Sequence, residues 1–578
     1  MSEQKNLFIA FALSVGVLFA FNQLYERPRM EKLRQQQAVE NAKVQQTAAA
    51  TAPGTPDTLP SDMVSSARMT TAVLPRIRIE TPSLTGSMTI TGNQLDDLLL
   101  VRYAENIDKP ERVRLLATRD SDRPYHVDFG FMAEGSSQPM PDAQTPWTAD
   151  RTVLTPDNPV TLRWDNGQGL VFTRHISVDQ DYMFTMTQDV HNTSDADVSL
   201  SSFALIQRRL PKDGQNTAIL HEGPIGVLGG ELETAKYKAL TDRKTPMAFS
   251  SNGGWLGITD KYWLVALCPQ QDTPLSARFL SSGDNAQVDA MGPRQKLAAG
   301  QTLSNTFHVF AGAKKVTLLD SYSQKLGIPH FDLAVDFGWY YFLTKPLFYA
   351  LTWLGKLIGN FGLAILALTV LVRLAMYPVS GKSFKEMNKM KTVQPKVAEL
   401  REKYGDDKAR LQQELMELYK REKVNPFSGC LPMLLQIPVF FSLYKVLFVS
   451  LEMRHTPFFG WIHDLAAPDP TTIFNLFGLI PWNPPAMLML GAWPLLMGVT
   501  MLLQQKMNPA PVDPAQAKIM MIMPIMFTFM LAKFPAGLVI YWTWSNIISI
   551  LQQGYMMRRK GLVPAFIKRW KDALHAGS

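Results

Sequence analysis

Between Leu363 and Pro378 the chain is an apolar run with a single arginine, Arg373, set inside it. This feature restricts the fold more than any other. An apolar stretch of that length is buried in a core or crosses a bilayer, and a charge at bilayer depth costs at least ~2.5–3.5 kcal/mol. A charge so placed needs polar or water-filled surroundings supplied by neighbouring helices. The residues before the run read as an anchored, water-facing domain. Those after it read as a compact helical bundle able to surround the arginine.

Composition supports that division. The chain has 578 residues, 46% hydrophobic and 19% charged, with a net charge of +8. The apolar runs crowd near the N-terminus and after Asp336, while the middle is polar and long enough to bury its own core. Excess Lys and Arg in a membrane protein reports basic cytoplasmic loops. The sequence carries no nucleic-acid motif, so no direct nucleic-acid recognition is expected. Cys268 and Cys430 fall in segments placed on opposite sides of the membrane, which excludes a disulfide between them. Neither has metal-ligand spacing.

Leu7–Phe21 is apolar and uncharged, and extended to Tyr25 it approaches the roughly 20 residues a span needs. Only Lys5 beside Glu3 precedes it, and no small-residue cleavage site follows. An uncleaved anchor over 1–25 is therefore favoured over a cleaved signal peptide. Residues 26–69, rich in Gln, Ala, Thr and Pro, make a flexible linker. From 70 to 328, polar and apolar residues alternate at Arg76–Glu80, Ser87–Thr91, Val160–Trp164, Phe172–Ser177 and Tyr182–Val190. Turn residues such as Asp165-Asn-Gly and Ser251-Asn-Gly-Gly separate the runs. The pattern predicts a large β-sandwich. His126, His175, His191 and His221 are scattered without a convincing acid partner and read as surface or strand histidines.

Residues 329–356 mix aromatics with Lys345 and Lys356. They suit an amphipathic helix at the outer membrane interface, or equally the first turns of a membrane helix. A five-helix core over 357–560 follows. Its first span ends at Pro378. Residues 380–428 are basic, and Lys382, Lys385, Lys389, Lys391 and Lys396 stand beside Met387, Met390, Val393, Val397 and Leu400 at helical spacing. After the turn Gly405-Asp406-Asp407 come Leu411, Leu415 and Leu418, again one stripe. This is a cytoplasmic helical hairpin. Cys430–Phe448 returns outward, Leu451–Ala486 is an outer loop, Met487–Leu503 runs inward and Gln504–Lys518 is an inner loop. Ile519–Ala532 runs outward, Phe534–Gly537 turns, and Leu538–Met556 runs inward to a basic tail, 561–578. The expectation is six transmembrane helices, both termini cytoplasmic and 26–356 outside.

Besides Arg373, these spans carry Asn360, Thr369, Gln436, Gln504, Thr543, Ser545 and Asn546. Hydrocarbon cannot solvate such groups, so they belong in the bundle interior or a wet cavity. No Asp/Glu/His chain suggests a proton relay, and no charge ladder suggests a voltage sensor. The spans are rich in methionine, which suits surfaces that accept many partners but also serves as lipid-facing filler. Arg373 has two readings. It lies about one helical turn from Pro378, roughly 6–7 Å inside the inner border, and could snorkel out. Against that, helical side chains tilt toward the helix N-terminus, which here points the arginine into the membrane. A cationic groove above a basic hairpin, walled by methionine, suits hydrophobic polypeptides.

The segments Val372–Pro378, Met390–Lys396, Tyr404–Lys408, Lys423–Pro426, Gly429–Pro432, Gln436–Pro438, Trp461–Leu465, Met523-Pro524 and Phe534–Val539 resemble, in order and placement, the YidC-type membrane protein insertase family. The anchor and β-domain are similar to its Gram-negative form, whose outer domain is a supersandwich like that of sugar mutarotases. The resemblance implies a bacterial inner-membrane protein with residues 26–356 on the periplasmic side. It implies insertion and assisted folding of nascent membrane proteins, alone or with the Sec translocon, with no covalent chemistry, cofactor or metal. Ribosome and lipid bilayer are further implied partners. Arg373, Thr369, Gln436, Tyr541 and Trp542 match the family's substrate groove, with Asn546 beside them; Trp542 stands where tyrosine is often found. Lys389, Lys391, Lys396, Tyr404, Asp406 and Asp407 fall in the family's cytoplasmic hairpin. A transporter would show inverted repeats and an ion site, and an anchored sugar-modifying enzyme an acid–base pair. The sequence offers neither. No phosphate-binding loop is present either, so ATP is not required.

Overall fold

A computed structural model describes residues 75–559, except 93, 108–110, 134–137, 212–219, 244, 339, 406, 423–430, 483, 486–488 and 508–513. The expected anchor, linker and basic tail lie outside the described residues, as do Cys430 and Asp406.

Among the described residues from Arg76 to Ala313 the alternating runs become twenty strands in two sheets, one of eleven strands and one of nine. Nearly all pairings are antiparallel; Arg76–Glu80 with Val153–Leu154 is a parallel exception. In Met183–Asn192 the apolar Phe184, Met186 and Val190 are buried between the sheets. Their neighbours pair on the other face, where the Thr187 and Thr306 hydroxyls lie 2.9 Å apart across the register Thr187↔Thr306. This is the cross-strand pairing that stabilises a two-faced sheet. The strand expected at Ser87–Thr91 is Leu84–Thr89, with a register shift after Ser87. The Ser251-Asn-Gly-Gly turn uses φ of 62° at Gly253 and 96° at Gly254, a region that residues with a Cβ avoid. A short helix, α1 (Tyr237–Thr241), interrupts the strands.

The sandwich closes with α2 (Val316–Leu326). A 3-10 turn at Phe331–Ala334 leads to α3 (Tyr341–Ile358). The helix expected across 329–356 therefore starts later, because its first residues wrap under the sandwich: Trp255 Nε1 donates to Pro329 O at 3.1 Å and its ring meets Phe331 edge-on. Next come α4 (Phe361–Ala375), α5 (Tyr377–Tyr404) and α6 (Lys408–Arg421). Asn360 caps α4, its side chain accepting from Leu363 N at 3.0 Å. Pro378 sits in the first turn of α5, where its missing N–H leaves no bond unmade. It therefore starts the hairpin as well as ending the apolar run.

α7 (Leu431–Val449), α8 (Ala492–Met507), α9 (Pro514–Leu531) and α10 (Ala536–Arg559) complete the described residues. The inner loop expected over Gln504–Lys518 is shorter, since Gln504–Met507 extends α8 and Pro514–Lys518 opens α9. α10 packs against α4, α7 and α8. Gly498 lets α8 approach α9: a Cβ there would lie 2.2 Å from Thr528 Oγ1. Among the described residues no helix is long and apolar enough to cross a membrane. Exposed large apolar side chains are distributed very unevenly. Among the described residues Ile107 and Leu232 are the ones found in the sandwich, and the rest lie from Phe342 onward, along α3, α4, α7, α8, α9, α10 and the loop before α8, with Tyr377 and Met416 on the hairpin.

Candidate functional site: a polar seam in the helical bundle

α4 and α10 bring the polar residues of the apolar segments together. Arg373 lies in the last turn of α4, half-buried. Its guanidinium donates to Ser545 Oγ at 2.5 Å and to Ser545 O at 3.3 Å, across to α10. Among the described residues no carboxylate pairs with it in an ion pair. One turn earlier on α10, buried Tyr541 accepts a hydrogen bond from Gln436 Nε2 of α7 at 2.8 Å. Trp542 turns to the other side, its ring edge-on to Phe440 at 4.5 Å and tilted on Phe527 at 5.6 Å. Arg373, Gln436 and Tyr541 thus form one seam where α4, α7 and α10 meet, with Trp542 joining α7, α9 and α10.

Two expected groove residues are satisfied inside the protein. Thr369 is buried and donates to Ile365 O at 2.6 Å within its own helix. Asn546 is buried and donates to Thr500 Oγ1 of α8 at 3.2 Å. Thr543 and Ser549 likewise donate to backbone oxygens one turn earlier. Each removes an unsatisfied donor from an apolar setting. The guanidinium has more donors than one serine can accept. Ser545 was legible only as a polar residue; its partnership with Arg373 spans 172 positions and leaves no local trace.

The hairpin forms by burying its apolar stripe. Val393 and Val397 of α5 pack on Leu418 of α6, flanked by Leu400, Leu415 and Tyr419. Asp407 caps α6, accepting from Arg410 N at 3.1 Å. Lys396 pairs with Glu422 at 2.7 Å, and the Tyr404 ring lies beneath Lys403 and Arg410. Lys389 is exposed on α5; the side chain of Lys391 lies outside the described residues.

In the sandwich, His126 is buried with Nε2 3.5 Å from Asp128 Oδ2, a pairing the sequence reading missed. Burial would push the Asp128 carboxyl up, but His126, Arg119 and Gln94 outweigh it and hold the group well below the usual carboxylate range. Gln94 and Arg119 already occupy its oxygens, so it is a poor proton acceptor. His175 Nε2 stands 3.7 Å from Asp189 and is exposed; His221 Nε2 lies 2.9 Å from Pro224 O. Among the described residues no group of His, Cys, Asp and Glu is arranged to hold a metal.

Residues 76–350 match the YidC periplasmic domain family and residues 353–562 the 60Kd inner membrane protein family. Two relatives, each named membrane protein insertase YidC, align over 97% of this chain. That of Granulibacter bethesdensis is 48% identical over 98% of its length, and that of Beijerinckia indica subsp. indica 46% identical over 96%. A crystal structure of an active YidC insertase aligns with 83% of this chain and 92% of its own at 18% identity and a TM-score of 0.34. A galactose mutarotase-like protein from Lactobacillus casei aligns with 41% of this chain and 99% of its own at 12% identity and a TM-score of 0.29. Superpositions that loose carry no argument, and kinship rests on the sequence matches along the whole chain. By them the chain belongs to the YidC family of membrane protein insertases, inner-membrane proteins with a periplasmic domain.

Proposed function

We propose that this chain inserts membrane proteins and helps them fold, alone or with the Sec translocon, through a cytoplasm-open groove whose charge is Arg373. Five spans formed by α4 and α7–α10 join the N-terminal anchor in the bilayer, with both termini in the cytoplasm and residues 26–356 on the periplasmic side. Nascent membrane proteins are the clients, and the ribosome delivers them near the basic hairpin. The observation that carries this reading is Arg373 itself: a half-buried guanidinium in an apolar bundle, held by Ser545 and without a carboxylate partner among the described residues. A charge that its own protein leaves unneutralised suits a transient acceptor, such as an acidic residue flanking a client helix. Gln436 and Tyr541 line the same seam, while Trp542 and the methionines offer deformable apolar contact. The client's apolar surface then moves into lipid, releasing ~25 cal/mol per Å². No covalent step is involved.

Insertion into vesicles, followed by protease protection of the client, tests this. Arg373→Gln should slow insertion of acidic-flanked clients about tenfold, the value of one charge-assisted hydrogen bond. Clients without acidic flanks should be far less affected. Equal insertion of acidic-flanked clients by Arg373→Gln and the unaltered chain would remove the assigned role.

A further inference from the structure

The loop between α7 and α8 carries an apolar tip on a rigid polar base. Buried Asp469 organises the base. It accepts from Thr471 N at 3.0 Å, Thr471 Oγ1 at 2.7 Å, Trp461 Nε1 at 3.1 Å and Trp493 N at 2.9 Å. Thr471 Oγ1 in turn accepts from Ala492 N at 3.0 Å, tying the loop to the start of α8. Beyond this base, Ile473–Gly478 makes a 3-10 turn interrupted by Leu476 at φ 50° and Phe477 at φ 57°. Two consecutive residues with a Cβ in the left-handed region are strained. They are held there by Phe477 N donating to Thr472 O at 2.8 Å and Ile480 N to Asn475 O at 3.0 Å.

The strained backbone buries nothing. It presents Phe474, Leu476, Phe477, Leu479, Ile480 and Trp482 outward, Leu479 at 83% exposure. In water such a patch is unfavourable. No charged residue occurs from Pro470 to Gln505, and Leu496, Val499 and Leu502 of α8, the helix that follows the loop, are exposed as well. Protein partners are met with a polar rim around an apolar centre; lipid requires none. We propose that this tip docks into the outer leaflet of the bilayer that holds the bundle, a lipid surface rather than a polypeptide being its partner. The inference rests on the membrane topology proposed above.

Spin labels on the full chain test it. In a Cys430→Ser background, with Cys268 fully buried, labels are placed by Leu479→Cys and Phe474→Cys. Met521→Cys, exposed on α9, serves as the lipid control, and Asp195→Cys, in an exposed turn of the sandwich, as the aqueous control. In phosphatidylethanolamine–phosphatidylglycerol vesicles, collision with oxygen should exceed collision with a water-soluble nickel chelate at 479 and 474, as at 521 and opposite to 195. Labels at 479 and 474 that match 195 while 521 reads as lipid overturn the docking alone. Spin–spin broadening between copies at the tip also overturns it, by identifying a second chain as the partner. An aqueous reading at 521 as well overturns both the docking and the topology beneath it.

Discussion

Single residues in this chain carry charge into places that would otherwise exclude it. Arg373 was conspicuous in the sequence because a lone cation in an apolar run needs no alignment to be noticed. Lys314 was not conspicuous, since it follows a β-strand where lysine is ordinary. Yet it is 6% exposed, with Nζ donating to buried Thr259 Oγ1 at 2.8 Å. Burial pushes its ammonium down from 10.5 to about 8, against the attraction of Asp260, Asp336 and Glu222. The unfolded chain keeps the higher value. Between about 8 and 10.5 it therefore binds more protons than the folded chain, and stability rises with pH through that window. Below pH 8 the full penalty applies, on the order of 3 kcal/mol. The urea midpoint of the sandwich, measured in the full chain, should climb from pH 8 to 10.5. Lys314→Met should abolish the slope; a slope of unchanged size in that variant would place its source elsewhere.

At the scale of elements, legibility followed periodicity. The strands around Arg76, Val160 and Phe172 lie within a residue or two of where alternation placed them, since period-two burial reports itself locally. The hairpin was legible for the same reason: Val393, Val397 and Leu418 stand at helical spacing and are the residues that pack. Element ends were less legible. The start of α3 depends on Trp255, which lies many residues upstream, and the short α8–α9 connection reflects helices that continue past their apolar stretch. The hairpin core is small, so each member matters. Leu418→Ala should cost about 2–5 kcal/mol and strip hydrogen-exchange protection from Tyr377–Tyr404 and Lys408–Arg421 together. The Lys396–Glu422 pair is solvent-exposed, and Glu422→Gln should leave that protection nearly unchanged.

Across the whole molecule, the joint between sandwich and bundle was the least legible part, because it is made of single charges far apart in sequence. Lys345 of α3 reaches Asp320 of α2 at 3.0 Å and Asp332 at 2.6 Å; Tyr341 and Tyr349 donate to the same two carboxylates. Lys445 of α7 pairs with Asp336 at 2.7 Å. On the other flank, Arg454 donates to Ala104 O at 2.7 Å and stacks over Trp263, while Lys261 lies 3.9 Å above the Phe448 ring. Asp320 lies in α2 and Asp332 and Asp336 in the segment after it, and their partners are on bundle helices. Removing the sandwich should therefore give different results according to where the cut falls. A deletion of 76–314 retains Asp320, Asp332 and Asp336, leaves Lys345 and Lys445 paired, and should keep most insertion activity. A deletion of 76–338 strips all three. It removes the carboxylates that Lys345, Lys445, Tyr341 and Tyr349 meet and should loosen α3 against α7. Insertion should then fall, and exchange protection of Tyr341–Ile358 should fall with it. Equal activity and equal protection in the two deletions would mean that the joint merely tethers the domain. Loss in the shorter deletion would mean that the strands themselves, through Ala104, Tyr262 and Trp263, help to set the geometry of the bundle.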